Sequence, residues 1–102
     1  MANLVKAASR DEISQGQGKC VDISGKAIAL FNIGGDFYAM DNTCVHRGGP
    51  LAEGSLEEHV VTCPWHGWKY DCKTGQSLNA PGKAVASYKV EIRENDVMVD
   101  IG

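Results

Sequence analysis

The chain has 102 residues, of which 43% are hydrophobic and 23% charged, a composition typical of a globular protein rather than a disordered one. Its net charge is −3, with ten scattered Lys and Arg, which argues against a nucleic-acid partner because such proteins carry a basic patch or stripe. No stretch approaches the ~20 apolar residues that span a bilayer, and the N-terminal residues lack the apolar core of a signal peptide. We therefore expect one domain over residues 1–102, located in the cytoplasm, where cysteines bind metal more often than they form disulfides.

A short helical turn is the first element that the sequence predicts. In "SRDEISQG", Ser9 can cap such a turn because its hydroxyl can accept a backbone hydrogen bond. Alternating polar and apolar residues then predict a meander of three strands, over residues 19–24, 27–33 and 36–41. Gly25–Lys26 and Gly34–Gly35 separate these strands, and Gly-Gly supplies the positive φ angles that two-residue hairpin turns require.

The remaining strands are predicted from the same two-residue period. They cover residues 59–63, 68–71, 87–94 and 97–101. A turn at residues 73–75 closes the second of these strands, and Asn95–Asp96 joins the last two into a hairpin. The fold class that these elements indicate is an antiparallel all-β domain, in which residues 44–68 lie mainly in loops.

Four cysteine and histidine side chains form two mixed pairs. Cys44 and His46 make a Cys-x-His pair, and Cys63 and His66 make a Cys-x-x-His pair after sixteen intervening residues. Thiolate sulfur and imidazole nitrogen suit zinc or an iron–sulfur cluster. Structural zinc motifs generally place like ligands close together in sequence, whereas each pair here holds one of each type. Two such loops could bridge a two-metal cluster, with the cysteines on one iron and the histidines on the other; zinc is the alternative.

The two motifs resemble the Rieske [2Fe–2S] signature, in which two histidines replace two cysteines on one iron. The matching segments are "CVHRGGPL", which begins at Cys44, and "CPWHGWKYD", which begins at Cys63. This resemblance implies a Rieske-like fold of short stacked antiparallel sheets, with a cluster-binding subdomain built from loops. It also implies one [2Fe–2S] cluster whose inner iron is bound by Cys44 and Cys63 and whose outer iron is bound by His46 and His66.

The resemblance also identifies neighbours of the cluster. Respiratory Rieske proteins carry two further cysteines that form a disulfide, whereas this chain has Gly49 and Trp65 at those positions. Trp68 stands where those proteins place a serine hydroxyl near a sulfide, and an indole cannot offer the same hydrogen bond. Tyr70 matches a tyrosine whose hydroxyl donates to a ligand thiolate.

Other residues in and around the motifs have both a functional and a structural interpretation. Trp65 either covers the cluster and forms a docking patch or packs its own loop, and Arg47 either steers an acidic partner or is a solvated side chain. Pro81 lies in "NAPGK", which resembles the proline loop that covers the cluster, with a surface turn as the alternative. Small or rigid residues that let the loop backbones approach the sulfides and present N–H donors are Gly48, Gly49, Pro50 and Gly67.

One histidine and two cysteines remain outside the motif spacing. We expect His59 to be an ordinary, half-exposed histidine at the start of a strand. Cys20 and Cys72 are expected to be free or packed thiols, with a disulfide between them as the alternative that a reducing compartment disfavours.

The resemblance implies a stand-alone Rieske-type ferredoxin, a one-electron carrier between a flavin-containing NAD(P)H reductase and a terminal oxygenase. A catalytic oxygenase subunit would need a further domain with a mononuclear iron, and His59 is the one histidine left unassigned. We therefore expect a carrier rather than an enzyme, with no membrane partner, and a monomer because carriers exchange partners rapidly. The alternatives are a small redox subunit of a nitrite reductase and a zinc-stabilised interaction domain.

Overall fold

The computed structural model describes residues 4–43, 50–65, 67–79 and 82–101. Within these ranges the regular secondary structure is nine strands and two short 3-10 turns, at Arg10–Glu12 and Leu51–Glu53. The strands are β1 (Leu4–Ser9), β2 (Gln17–Ile23), β3 (Lys26–Ile33), β4 (Asp36–Asp41), β5 (Ser55–Glu57), β6 (Val60–Thr62), β7 (Lys69–Asp71), β8 (Ser87–Arg93) and β9 (Asp96–Asp100). Every strand pair is antiparallel, so the predicted all-β class is confirmed.

The strands form two sheets, a large one in the order β1-β9-β8-β4-β3-β2 and a small one in the order β5-β6-β7. The predicted hairpins β2–β3, β3–β4 and β8–β9 are all present. Gly34 and Gly35 turn the second hairpin with φ angles of 64° and 94°, as their position predicts. The other two turns lie one residue earlier than predicted, at Ser24–Gly25 and Glu94–Asn95.

Strand β3 is buried on both faces because it lies between two layers of side chains. Ile28 and Leu30 point into one hydrophobic cluster, and Ala29 and Phe31 point into the other. We call the first the far core; its buried members are Ala8, Ile13, Ile23, Ile28, Leu30, Phe37, Ala39, Val97 and Val99. We call the second the loop-side core; its buried members are Ala29, Phe31, Met40, Leu51, Ala52, Val61, Cys63, Tyr70, Cys72 and Val85.

The small sheet packs against the large one through the loop-side core. Val61 of β6 and Tyr70 of β7 face inward and are fully buried, whereas Val60 and Lys69 on either side of them are more exposed. This alternation is the pattern of a sheet with one face on the core and one face toward solvent. The loop that carries Cys63 therefore leaves the end of a sheet whose inner face is firmly packed.

Three elements were not predicted: β1, β5 and the 3-10 turn Leu51–Glu53. The helical turn predicted after Ser9 is present as the 3-10 turn Arg10–Glu12, and the Ser9 N–H donates to Glu12 Oε2 at 3.3 Å. No helix among the described residues is long and apolar enough to cross a membrane.

Candidate metal centre

The four predicted ligands fall unevenly on the part of the chain that the structure describes. Cys63 is described, whereas Cys44, His46 and His66 lie outside the described residues. Among the described residues, no group of three or more His, Cys, Asp or Glu side chains could hold a metal ion. The ligand set stays a prediction. The structure tests how well Cys63, and the residues at the bases of the loops, suit such a site.

Cys63 directly follows β6, and its side chain is only 2% exposed. Its thiol is not part of a disulfide, and it belongs to the loop-side core together with Val61 and Tyr70. A free cysteine at the edge of a segment and packed in an apolar core can bind a metal on a side from which water is excluded. Thiolate sulfur is also the donor that iron–sulfur clusters require, so Cys63 fits the inner end of such a cluster.

Two backbone hydrogen bonds fix the main chain at Cys63. Its N–H donates to the Trp68 carbonyl at 2.7 Å, and its own carbonyl accepts the Gly67 N–H at 3.1 Å. Gly67 has a φ of 75°, a left-handed conformation in which glycine avoids the strain of a side chain. The β6–β7 connection is therefore closed at its base, which holds the Cys63 side chain in one direction relative to the sheet.

Asn42 closes the base of the segment that contains the other predicted pair of ligands. Its carbonyl accepts the Leu51 N–H, and its side-chain Oδ1 accepts the Ala52 N–H, both at 2.7 Å. Thr43 and Pro50 form an isolated antiparallel bridge beside these bonds. Leu51 is fully buried in the loop-side core, so this segment and the Cys63 loop are anchored on the same core. The sequence analysis did not identify Asn42, whose position two residues before Cys44 is the one local signal.

A third segment runs beside β7 and leads toward the predicted proline loop. Tyr70 and Ser77 form a bridge, and the Asp71 N–H donates to the Gln76 carbonyl at 2.9 Å. The segment continues to Asn79, after which Pro81 lies outside the described residues.

The described neighbours of the motif differ in exposure. Trp65 is 58% exposed, which favours the docking-patch interpretation over packing within its own loop. Trp68 is half-buried and packs against the loop-side core, and Tyr70 is fully buried in β7. The predicted cluster neighbours that lie outside the described residues are Arg47, Gly48, Gly49 and Pro81.

Cys20, Cys72 and His59 have the surroundings that the sequence predicts. Cys20 and Cys72 are both free, the first exposed and the second buried, so the alternative of a disulfide between them is wrong. Because β6 and β7 are antiparallel, Cys72 lies at the opposite end of β7 from the Cys63 loop. His59 is half-exposed and its ring makes an edge-to-face contact with Tyr38, with ring centres 5.7 Å apart.

Comparison with known proteins identifies the family. The model of the Rieske [2Fe-2S] domain matches residues 3–89. The ferredoxin component of the naphthalene 1,2-dioxygenase/salicylate 5-hydroxylase systems of Ralstonia sp. is 37% identical over 98 residues, 95% of this chain and 94% of that protein. The 3-phenylpropionate/cinnamic acid dioxygenase ferredoxin subunit of Shigella flexneri is 34% identical over 101 residues, 97% of this chain and 94% of that protein.

Solved structures with similar folds include a ferredoxin complex and a nitrite reductase subunit. A chain in the complex of reduced oxygenase and oxidised ferredoxin of carbazole 1,9a-dioxygenase superposes with a TM-score of 0.87 and 29% identity, over 95% of this chain and 92% of that chain. A nitrite reductase small subunit from Mycobacterium tuberculosis superposes with a TM-score of 0.90 over 97% of this chain and 95% of that chain, but its identity of 21% shows the fold alone.

These matches confirm the predicted Rieske-type cofactor and the prediction of an electron carrier rather than a catalytic subunit, because the relatives of similar length are ferredoxin components. They also confirm the predicted fold class. The chain belongs to the Rieske [2Fe-2S] domain family.

Proposed function

We propose that this chain is the ferredoxin component of a multicomponent oxygenase system, passing single electrons from a flavin-containing NAD(P)H reductase to a terminal oxygenase. The observation that carries the proposal is the free, buried side chain of Cys63 at a backbone-fixed position, in a chain similar over almost its whole length to dioxygenase ferredoxin components. Residues 1–102 act as one Rieske domain, a cytoplasmic monomer that meets each partner in turn.

The residues that would hold the [2Fe–2S] cluster are Cys44 and Cys63 through sulfur and His46 and His66 through ring nitrogen. When bound, the cluster supplies reversible one-electron chemistry at a potential that its ligand charge and surroundings set. The chain orients Cys63 through the two backbone hydrogen bonds at the base of its loop. The loop-side core excludes water from the protein side, which lowers the local dielectric and strengthens the influence of nearby charges and dipoles on the potential.

The docking surface for the redox partners lies around the loop that carries Cys63. Trp65 and Leu78 are large apolar side chains that are 58% and 57% exposed, and Leu78 is hydrogen-bonded through its backbone to Lys69 at the end of β7 next to that loop. Trp is enriched among the residues that dominate interface energies. Redox encounters bury less than about 1,200 Å², so we expect a transient complex to need few exposed side chains.

Metal and sulfide analysis of anaerobically purified protein tests the cofactor. We expect iron and acid-labile sulfide in equal amounts, and visible absorption that bleaches on reduction with dithionite. Cys63→Ser should abolish the absorption, whereas Cys72→Ser, the matched change at the other buried thiol, should retain it. A colourless protein that contains zinc would refute the proposal in favour of a zinc-stabilised interaction domain.

Capture of the partners tests the physiological role. Immobilised wild-type protein should retain an oxygenase and a flavin reductase from an extract of the source organism, and Trp65→Ala should weaken the retention of the oxygenase. Ile92→Ala is the matched control, because Ile92 is an exposed apolar side chain on β8 of the large sheet. Retention of a nitrite reductase catalytic subunit in place of an oxygenase would replace the proposed partner.

A further inference from the structure

The peptide group between Trp68 and Lys69 is hydrogen-bonded at both of its polar atoms. Its carbonyl oxygen accepts the Cys63 N–H at 2.7 Å. Its N–H, which belongs to Lys69, donates to Oδ1 of the Asn79 side chain at 2.6 Å. One peptide group therefore connects the backbone of Cys63 to the side chain of Asn79.

Asn79 occupies the position at which the third segment leaves β7. Before this position the segment follows β7 through backbone bonds, and the last of them runs from the Leu78 N–H to the Lys69 carbonyl at 2.8 Å. The acceptor for the Lys69 N–H is then the side-chain oxygen of Asn79 rather than a backbone carbonyl. The backbone of the third segment therefore stops pairing with β7 at Asn79, while the N–H of Lys69 keeps a hydrogen-bond acceptor.

Asn79 is itself held in place, and so is the far end of the segment that follows it. The Asn79 N–H donates to Ser77 Oγ at 3.2 Å, which sets the direction of the chain at Asn79. The Ser77 N–H donates to the Lys83 carbonyl at 2.9 Å, so Lys83 lies beside Ser77. The side chain of Asn79 is therefore the link between this segment and the peptide group that holds Cys63.

The chemistry of this link requires an acceptor at residue 79. The Lys69 N–H is a donor, so the contacting atom of the amide must be its oxygen. Hydrogen bonds on the two sides of one peptide group polarise each other, so loss of one weakens the other and loosens the orientation of the group. An aspartate could replace the asparagine as acceptor, whereas an alanine could not.

We propose that Asn79 is a positioning residue, which fixes the Trp68–Lys69 peptide group and through it the backbone of Cys63. The inference rests on the proposed function in one respect, namely that Cys63 binds the cluster. In this role Asn79 couples the segment before Pro81 to the base of the Cys63 loop.

Two measurements on Asn79→Ala, Asn79→Asp and the wild type test the proposal. Hydrogen exchange followed by mass spectrometry reports on the Lys69 N–H through peptides that cover residues 67–72. The decay of visible absorption in excess chelator reports on the release of iron. Thr74→Ala is the control, because Thr74 Oγ1 accepts the Gln76 N–H at 3.2 Å, also from an exposed side chain, beyond the opposite end of β7.

We expect Asn79→Ala to accelerate both exchange and iron release by about twofold to fivefold, the lower part of the range for one hydrogen bond, since both groups are solvent-exposed. Asn79→Asp should restore most of the wild-type behaviour, and Thr74→Ala should leave both rates unchanged. Wild-type rates in Asn79→Ala, or equal acceleration in Thr74→Ala, would overturn the inference. Wild-type protein without iron would instead refute the proposed function, and with it the role of Asn79 toward a ligand.

Discussion

Two cysteines outside the predicted ligand set have different surroundings. Burial raises the pKa of the Cys72 thiol to about 12, and the neighbouring Asp71 carboxylate acts in the same direction. Cys20 is exposed on β2, where partial burial and the carboxylates of Asp22 and Glu53 also raise its pKa. Both thiols are therefore protonated at neutral pH, which disfavours metal binding because the thiolate is the ligand.

The raised pKa of Cys72 predicts a loss of stability at alkaline pH. The unfolded chain releases this proton near pH 9, whereas the folded chain holds it until about pH 12. Between these values the unfolded state binds fewer protons, so the free energy of unfolding falls as pH rises. Chemical denaturation between pH 8 and pH 11 should show a shallower fall for Cys72→Ala than for the wild type, with a smaller change of slope for Cys20→Ala, because the Cys20 thiol is exposed. Parallel curves for Cys72→Ala and the wild type would contradict this prediction.

The segment that follows β7 is fixed at its start by a close approach of two backbones. Gly75 has a φ of 80°, and a Cβ atom at this position would collide with the Val85 carbonyl. The Val85 N–H donates to the Gly75 carbonyl at 2.9 Å, so the two chains cannot separate without loss of this bond. A residue other than glycine at position 75 would displace the strand-like segment that ends at Asn79.

Gly75→Ala should therefore destabilise the protein more than an alanine at a glycine with the same backbone conformation. Gly16 provides the control, because its φ is 79° and a Cβ atom there would meet no other atom within 4 Å. We expect Gly16→Ala to cost about 1 kcal/mol from backbone strain alone and Gly75→Ala about 2 kcal/mol more from the steric overlap. Urea denaturation measures both values. Equal losses of unfolding free energy in the two variants would show that the backbone at Val85 shifts at no cost in stability.

The elements that the sequence predicts well are those whose signals are local. The hairpins follow from the alternation of polar and apolar residues and from pairs such as Gly34–Gly35. Two of the three turns lie one residue earlier in the structure than predicted. β1 was missed because it pairs with β9, at the other end of the chain, and such a pairing leaves no pattern in the neighbouring sequence. β5 pairs with its neighbour β6, but the turn between them is Glu58–His59, which lacks the glycine or asparagine that identifies the other hairpins.

The residues of the predicted site also divide into those with a local sequence signal and those identified only by the fold. The spacing of the Cys and His pairs predicts four ligands because metal coordination requires particular residue types, and Cys63 is a free, buried cysteine. Asn42 and Asn79 could not be identified in this way, because each bonds a backbone N–H ten residues away in sequence. Their contribution depends on the fold rather than on a motif.

The whole molecule is organised as two hydrophobic cores on opposite faces of β3. The loop-side core includes Leu51 and Cys63, which border the two segments with the predicted ligands. The far core is built from the large sheet and from Ile13, which follows the first 3-10 turn, with Val97 and Val99 of β9 fully buried in it. Binding of a cluster that only the folded loops can hold should therefore stabilise the two halves unequally.

Removal of the cluster should loosen the small sheet and leave the far core intact. Metal sites of this kind contribute their binding free energy to folding, and the Cys63 loop is continuous with β6 and β7. After treatment with a chelator and a reductant, amide exchange in β7 should accelerate by about tenfold or more, while exchange in β9 should change by less than about twofold. Reconstitution with iron and sulfide should restore the protection of β7. Equal acceleration in both strands would mean that the two cores unfold as one unit, and an unchanged rate in β7 would mean that the small sheet is held by packing alone.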